Sequence, residues 1–206
     1  MVINMIVVYK IETSLKNVKR YTMTTRVTLE EAEQYAEIFC NISMGIMNRV
    51  GPFLKESIYR DLLVNELKKL TMATSCELVF NYSFKDSENK EVVIGNNHFL
   101  KSDIELLDLN GILELKQSNN ITKQENIWQL RNYLEQRSDR HWGVVINFVS
   151  KFGQNGVSPH IQCDLLYSTG ETLPNSNINT YYHSKIISKL KYPNEDDVLI
   201  MSEISI

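Results

Sequence analysis

Apolar and polar residues alternate in two opposed runs along "KSDIELLDLNGILELKQ", Lys101 to Gln117. The Asn110-Gly111 pair predicts a two-residue type I′ turn, which needs φ > 0 at both positions, and so a β-hairpin. Period-two sorting places Ile104, Leu106, Leu113 and Leu115 on one face, an ordinary core face. Asp103, Glu105, Glu114 and Lys116 fall on the other. Three acids and a lysine on one ribbon face call for a chemical reason.

The rest of the chain can be divided by the same patterning. "MIVVYKIE" and "RYTMTTRVTL" read as an N-terminal hairpin. "TLEEAEQYAEIFCNISMGIM" is helical, opened by a Thr28–Glu31 capping box, with Ala32, Ile38 and Ile42 among its apolar positions. Pro52 is suited to open a second helix running to about Leu70. Glu56 shares a stripe of that helix with Tyr59, Leu63 and Leu70. A carboxylate there is costly unless a charge meets it, although a first-turn acid also complements the helix dipole. "CELVFNYSF" and "EVVIG" are strands separated by the polar turn "KDSENK".

"NNITKQENIWQLRNYLEQRS" predicts a third helix, with a Thr122–Glu125 capping box and a buried stripe of Ile127, Leu130 and Leu134. "HWGVVINFVS" is nearly all apolar, the pattern of a strand covered on both faces. "HIQCDLLY" and "VLIMSEIS" read as strands, and "NTYYHSKIISKL" as a short helix. Residues 53–149 thus run helix, strands, helix, strand. The expected fold is α/β (α+β), a mixed sheet flanked by helices.

Composition narrows the functional classes only modestly. Of 206 residues, 43% are hydrophobic and 23% charged, as in an ordinary globular chain with one good-sized core. A net charge of -3 excludes a protein that coats nucleic acid through bulk positive charge, but leaves room for a local basic groove. Cys40, Cys76 and Cys163 are widely spaced with no CxxC pair, which disfavours a zinc site or disulfide framework. His98, His141, His160 and His183 show no metal-ligand spacing. "MIVVY" is too short for a secretory core, and no apolar run approaches the ~20 residues of a membrane span. An intracellular protein is expected.

Two carboxylates and a lysine on adjacent antiparallel strands suit a hard divalent cation. Mg²⁺ prefers oxygen ligands and keeps several waters, so two or three carboxylates suffice. A lysine two residues after the second acid points the same way and can orient a water or neutralise a phosphate oxygen. Such a set fits phosphodiester hydrolysis. Alone, D-x10-E-x-K is a weak pattern, equally at home on a solvated hairpin face. With an Asn-Gly turn, Asp103 sits several residues away from the position opposite Glu114, so a bend or a different loop must close the gap.

The segments "GPFLKESIYRDLLVNEL", "LKSDIEL", "ILELK", "QLRNYL" and "WGVVINF", in that order, resemble the GxxExxY family of the PD-(D/E)XK nuclease superfamily. The resemblance covers Ile46 to Val149, about half the chain. It implies a restriction-endonuclease-like core over 46–149, elaborated by residues 1–45 and 150–206 in one domain. The family's helix acid falls on Glu56 and its tyrosine on Tyr59; the hairpin aspartate falls on Asp103, the E-x-K pair on Glu114 and Lys116, and the glutamine on Gln129. Lys101 stands where a basic residue is usual. The family's first glycine is Phe53 here, with Gly51 and Pro52 just before it.

The resemblance implies that Asp103 and Glu114, with the Leu115 carbonyl, bind Mg²⁺ or Mn²⁺. Glu56 would support the metal, Lys116 position the attacking water, and Gln129 orient the site. Lys101, Tyr59 and Arg131 would contact substrate, DNA rather than RNA, leaving a 5′-phosphate. A homodimer is compatible with this reading. Glu66 is expected to be structural, with Arg131 a candidate partner, and Glu105 to be solvated. The alternative is a catalytically silent nuclease-like fold that binds nucleic acid or a protein.

Overall fold

The structure, a computed structural model, describes residues 26–81, 83–85, 88, 90–93, 99–137, 139–150, 159–172 and 179–189. Helices α1 (Leu29–Val50) and α2 (Glu56–Lys69) precede a run of short strands. These are β1 (Thr74–Cys76), β2 (Val79–Asn81), β3 (Ser83–Lys85), β4 (Glu91–Val93), β5 (Phe99–Lys101) and β6 (Ile104–Leu106). The longer β7 (Gly111–Ser118), helix α3 (Gln124–Gln136), β8 (Trp142–Val149), β9 (His160–Thr172) and β10 (Asn179–Lys189) follow.

Six strands form one sheet in the order β1-β6-β7-β8-β9-β10. The β7–β8 pair is parallel and the others antiparallel, so the sheet is mixed, with α3 as the crossover between its two central strands. Helices α1 and α2 cover one face and α3 the other. The larger core joins Ala32, Phe39, Met47, Leu63 and Leu67 to Leu113, Leu115, Val144, Ile146 and Phe148. The smaller places Ile127, Leu130 and Leu134 over Ile112, Val145 and Leu166. All eight residues of β8 are buried, as its unbroken apolar run requires. The Thr28–Glu31 capping box forms as expected.

The hairpin forms, but not through the expected turn. Ile104 pairs with Leu113, Glu105 with Ile112 and Leu106 with Gly111, leaving Leu107–Asn110 as a four-residue loop. Asn110 supplies the left-handed residue, at φ 50. Gly111 instead answers to space: a Cβ there would lie 2.7 Å from the Trp142 indole. That indole stacks on Tyr35 and Phe39 and donates to the Leu109 carbonyl at 2.9 Å. The longer loop shifts the register and, one step beyond Ile104↔Leu113, sets Asp103 opposite Glu114.

Asp103 also sits at a kink. The β1–β6 ribbon continues as β2–β5, and between the two halves Glu77 takes φ 55. The bend is spanned by backbone bonds from Glu77 to the Asp103 carbonyl at 3.1 Å and from Ser102 to the Leu78 carbonyl at 3.2 Å. Thus "CELVFNYSF" is broken rather than one strand.

Other expectations shift by a turn or change type. Helix α2 starts at Glu56, not at Pro52, because Phe53 lies at φ 74 and the chain turns there before Lys55 caps the helix. The Thr122–Glu125 capping box does not form; Lys123 is the cap, its N–H donating to Asn126 Oδ1 at 3.2 Å. Residues 179–189 form β10 rather than a helix, because their β-branched and aromatic residues extend along β9. The proposed strands of residues 1–25 and "VLIMSEIS" lie outside the described residues.

Phe53 stands where the resemblance carries glycine, and its backbone already has a glycine-favoured geometry. Phe53→Gly is expected to stabilise the fold by about 0.5–1 kcal/mol, relief of left-handed strain outweighing glycine's added unfolded-state entropy. Phe53→Ala keeps the Cβ and should give no gain. Urea midpoints of the three proteins decide the point.

Candidate active site

Asp103, Glu114 and Lys116 meet at the mouth of the β6–β7 ribbon, on the face that α3 covers. Asp103 Oδ2 accepts the Leu115 N–H at 2.8 Å, a bond across the strands that fixes the carboxylate beside β7. Lys116 Nζ donates to Glu114 Oε1 at 2.6 Å. The Glu114 side chain is 3% exposed and that of Lys116 20%, so the pair is largely out of water. Parity put these groups on one face, and the register brings them level.

Glu56 approaches from the first turn of α2, where it faces the dipole's positive end. Its carboxyl lies above the ordinary range: burial raises it, Lys116 draws it down, Asp103 pushes it up, and the Gln117 N–H and Arg60 draw it down. Burial likewise raises Asp103 against the Leu115 bond and the pull of Lys116 and Arg60. Glu114 carries the heaviest load. Burial, then the Asp103 charge, pushes it up to about 8, against the pull of Lys116. Burial alone would lower the Lys116 ammonium, but Glu114, Glu56 and Asp103 hold it above its usual value. Lys116 thus stays an ammonium, and the strain falls on the acids.

One oxygen of this group has no partner: Glu114 Oε2 is buried and makes no hydrogen bond. An orphaned buried carboxylate oxygen beside two further raised carboxyls is a donor set suited to a hard divalent cation. Among the described residues, no three His, Cys, Asp or Glu side chains are gathered into a ready metal cage. The acids stand around an ammonium instead, which offsets part of their mutual repulsion.

Residues expected to serve substrate divide. Tyr59 is fully buried; it stacks on Phe148 at 4.0 Å and donates to the Gly51 carbonyl at 2.8 Å. In this structure it anchors the bend before α2 and is packed in the core, not displayed where the resemblance places a substrate contact. Arg131 is held by Glu135 at 2.9 Å, by the Asn179 carbonyl at 3.2 Å and over the Tyr181 ring. It locks α3 to β10. Lys101 is half exposed and pairs with Glu77 at 2.9 Å. Gln129 Nε2 donates to Tyr133 Oη at 2.6 Å, and Tyr133 donates on to the Lys101 carbonyl at 2.8 Å. The Tyr133 hydroxyl is itself raised, first by burial and then by Glu114. Gln129 is thus tied to the backbone two residues before Asp103, a positioning place.

Two other expectations are corrected. Glu66 pairs with Arg49 at 2.7 Å and Lys69 at 3.0 Å, not with Arg131. Glu105 is not solvated but fully buried between Arg137 at 2.6 Å and Arg140 at 3.0 Å. Sequence reasoning missed Arg60, whose Nη1 lies 3.9 Å from Asp103 Oδ1. Its spacing carried the signal, since i and i+4 share a helix face and Glu56 is four residues earlier.

The family model of the PD-(D/E)XK nuclease superfamily matches residues 33–158, more than half of the chain, and the chain belongs to that superfamily. The match runs from within α1 to beyond β8 and includes Glu56, Asp103, Glu114, Lys116 and Gln129. No curated protein matches the chain. Among solved structures, "Crystal structure of SSO0001" aligns over 98% of this chain and 84% of that one, at 14% identity and a TM-score of 0.36. That likeness is too loose to carry anything further. Among the described residues no helix is long and apolar enough to cross a membrane.

Proposed function

We propose that this chain is a metal-dependent nuclease of the GxxExxY branch that hydrolyses DNA phosphodiesters and leaves a 5′-phosphate. The observation that carries this reading is the buried Glu114 carboxylate. It is opposed by Asp103, bonded to Lys116 through one oxygen and left with the other unsatisfied. A stranded buried carboxylate oxygen costs about 1–3 kcal/mol, which a bound cation would offset.

Asp103, Glu114 and Glu56 would hold Mg²⁺ or Mn²⁺. When bound, the ion supplies Lewis-acid polarisation of a phosphoryl oxygen and a water of lowered pKa. Lys116 presents the charge needed to orient the attacking water and to meet the negative charge that develops on the phosphoryl oxygens. Gln129 holds Tyr133, and Tyr133 holds the strand that leads into Asp103. Substrate contact is local in an acidic protein, so binding should weaken steeply with salt.

Plasmid and single-stranded DNA and RNA should be offered with Mg²⁺, Mn²⁺ or EDTA, to wild type and to Lys116→Ala. The expected result is DNA cleavage abolished by EDTA and reduced about 10²–10⁴-fold by the substitution. Cleavage that persists in EDTA, or survives Lys116→Ala unchanged, sinks the proposal. Tight binding without cleavage would instead identify a silent nucleic-acid-binding fold.

A further inference from the structure

Two cations and a strained acid stand at the rim of the carboxylate site, and of the three only Lys101 has an expected part, in substrate contact. Glu77 Oε1 accepts from Arg60 Nη1 at 2.6 Å and pairs with Lys101 Nζ at 2.9 Å. One oxygen thus bridges a guanidinium and an ammonium. Arg60 arises from α2 one turn after Glu56, and its side chain is 16% exposed. Its Nε is buried without a hydrogen-bond partner, although Asp61 lies 3.7 Å away. Lys101 comes from β5, and its side chain is 48% exposed. Both belong to elements that also carry or lead into site acids.

Glu77 is placed at a cost. It takes φ 55, a left-handed geometry that side chains other than glycine, asparagine and aspartate seldom adopt. Its own N–H bonds the Asp103 carbonyl, so its position is coupled to the site acid. An exposed surface ion pair contributes little to stability and rarely offsets left-handed strain. A carboxylate oxygen shared by Arg and Lys, close to a metal-type acid, has the charge and the contacts of a phosphate oxygen.

We propose that Arg60 and Lys101 form a phosphate subsite flanking the carboxylate centre, and that Glu77 occupies it until a nucleic-acid phosphate displaces its carboxylate. The inference rests on the nuclease reading and adds to it a second anchoring phosphate and a built-in competitor. Arginine suits the place because its fork grips two phosphate oxygens, while lysine adds a point charge.

The test uses the full chain in EDTA, with fluorescently labelled single-stranded and duplex DNA and a salt titration by anisotropy. Glu77→Gln is expected to tighten binding about 3- to 10-fold and to steepen the logarithmic salt slope by about 0.7–0.9, one extra phosphate contact. Arg60→Gln should weaken binding about tenfold and flatten the slope by the same amount. Arg60→Lys, which keeps the charge and is less disruptive to folding, should restore most of the slope but not the full affinity. If Glu77 serves only the fold, Glu77→Gln will lower the melting temperature and leave binding unchanged or weaker, which overturns the subsite. Metal-dependent cleavage by wild type with unaltered slopes in all three variants also overturns the subsite while leaving the nuclease reading intact. Wild type that neither binds nor cleaves any nucleic acid overturns both.

Discussion

Glu114→Gln is expected to eliminate metal-dependent cleavage, by about a thousandfold or more, and to make the metal-free protein more stable. Both effects come from one placement. The carboxyl is 2% exposed, faces Asp103, and is pushed up to about 8. A folded pKa above the unfolded one means the fold prefers the protonated form. Its contribution is therefore fully present below about pH 4.3 and is lost as pH rises to about 8. Asp103 and Glu56 are raised also and act with the same sign. In EDTA at pH 8 the neutral amide should gain about 1–3 kcal/mol over wild type, and little at pH 5.

Divalent metal should reverse the order. An ion at a hundred times its dissociation constant adds about 2.7 kcal/mol to the protein that binds it. Wild type should therefore gain thermal stability from Mg²⁺ or Mn²⁺, and Glu114→Gln should not. Melting curves at two pH values, with and without metal, read this independently of turnover. A variant less stable than wild type in EDTA at pH 8, or equally stabilised by metal, would show that Glu114 is an ordinary buried ion-pair partner.

What the chain disclosed in advance was chiefly what depends on local pattern. The parity of Asp103, Glu114 and Lys116 held because a strand alternates regardless of its loop. The apolar run of β8 and the Thr28–Glu31 cap are equally local. The register was not local. Asn110-Gly111 satisfies a turn signal, yet Trp142, distant in sequence, claims the space above Gly111 and Asn110 alone takes the left-handed geometry. The pairing moved, and with it the gap between Asp103 and Glu114 closed.

Burial of polar groups was the least legible feature. Glu105 alternates correctly with its neighbours, and nothing near it in sequence announces Arg137 and Arg140. Tyr59 could be assigned to substrate or to packing until Phe148 was seen against its ring. Residues 179–189 read as a helix when taken alone, and only the partner strand β9 decides otherwise. In each case the missing information was a contact across many residues of sequence. Arg60 differs, since its spacing of four from Glu56 is a local signal.

Glu105→Ala should give the largest loss of stability, about 3 kcal/mol. The carboxylate is fully buried and serves Arg137 and Arg140, the latter only 7% exposed. Removing one partner leaves a buried guanidinium without its charge, a greater cost than never having had the pair. Asp139 and Asn110 still hold Arg140 Nη1 at 2.8 and 3.0 Å, which keeps the cost at the low end of the usual range. Replacing Glu105 by leucine and Arg140 by methionine together should recover much of it.

The loss should reach the site as well, because α3 and its following turn brace Asp103 on both sides. Tyr133 holds the Lys101 carbonyl two residues before it, and the two arginines hold Glu105 two residues after. With one brace gone, the Asp103 kink is held by Tyr133 on one side only and by its own bonds. Cleavage by the fraction that remains folded should fall about 10- to 100-fold, as for other supports of metal-binding groups. Chemical denaturation and single-turnover cleavage at a temperature where the variant is folded separate the two effects. A stability loss below about 1 kcal/mol would show that solvent reaches the arginines, and unchanged single-turnover rates would confine the triad to the fold.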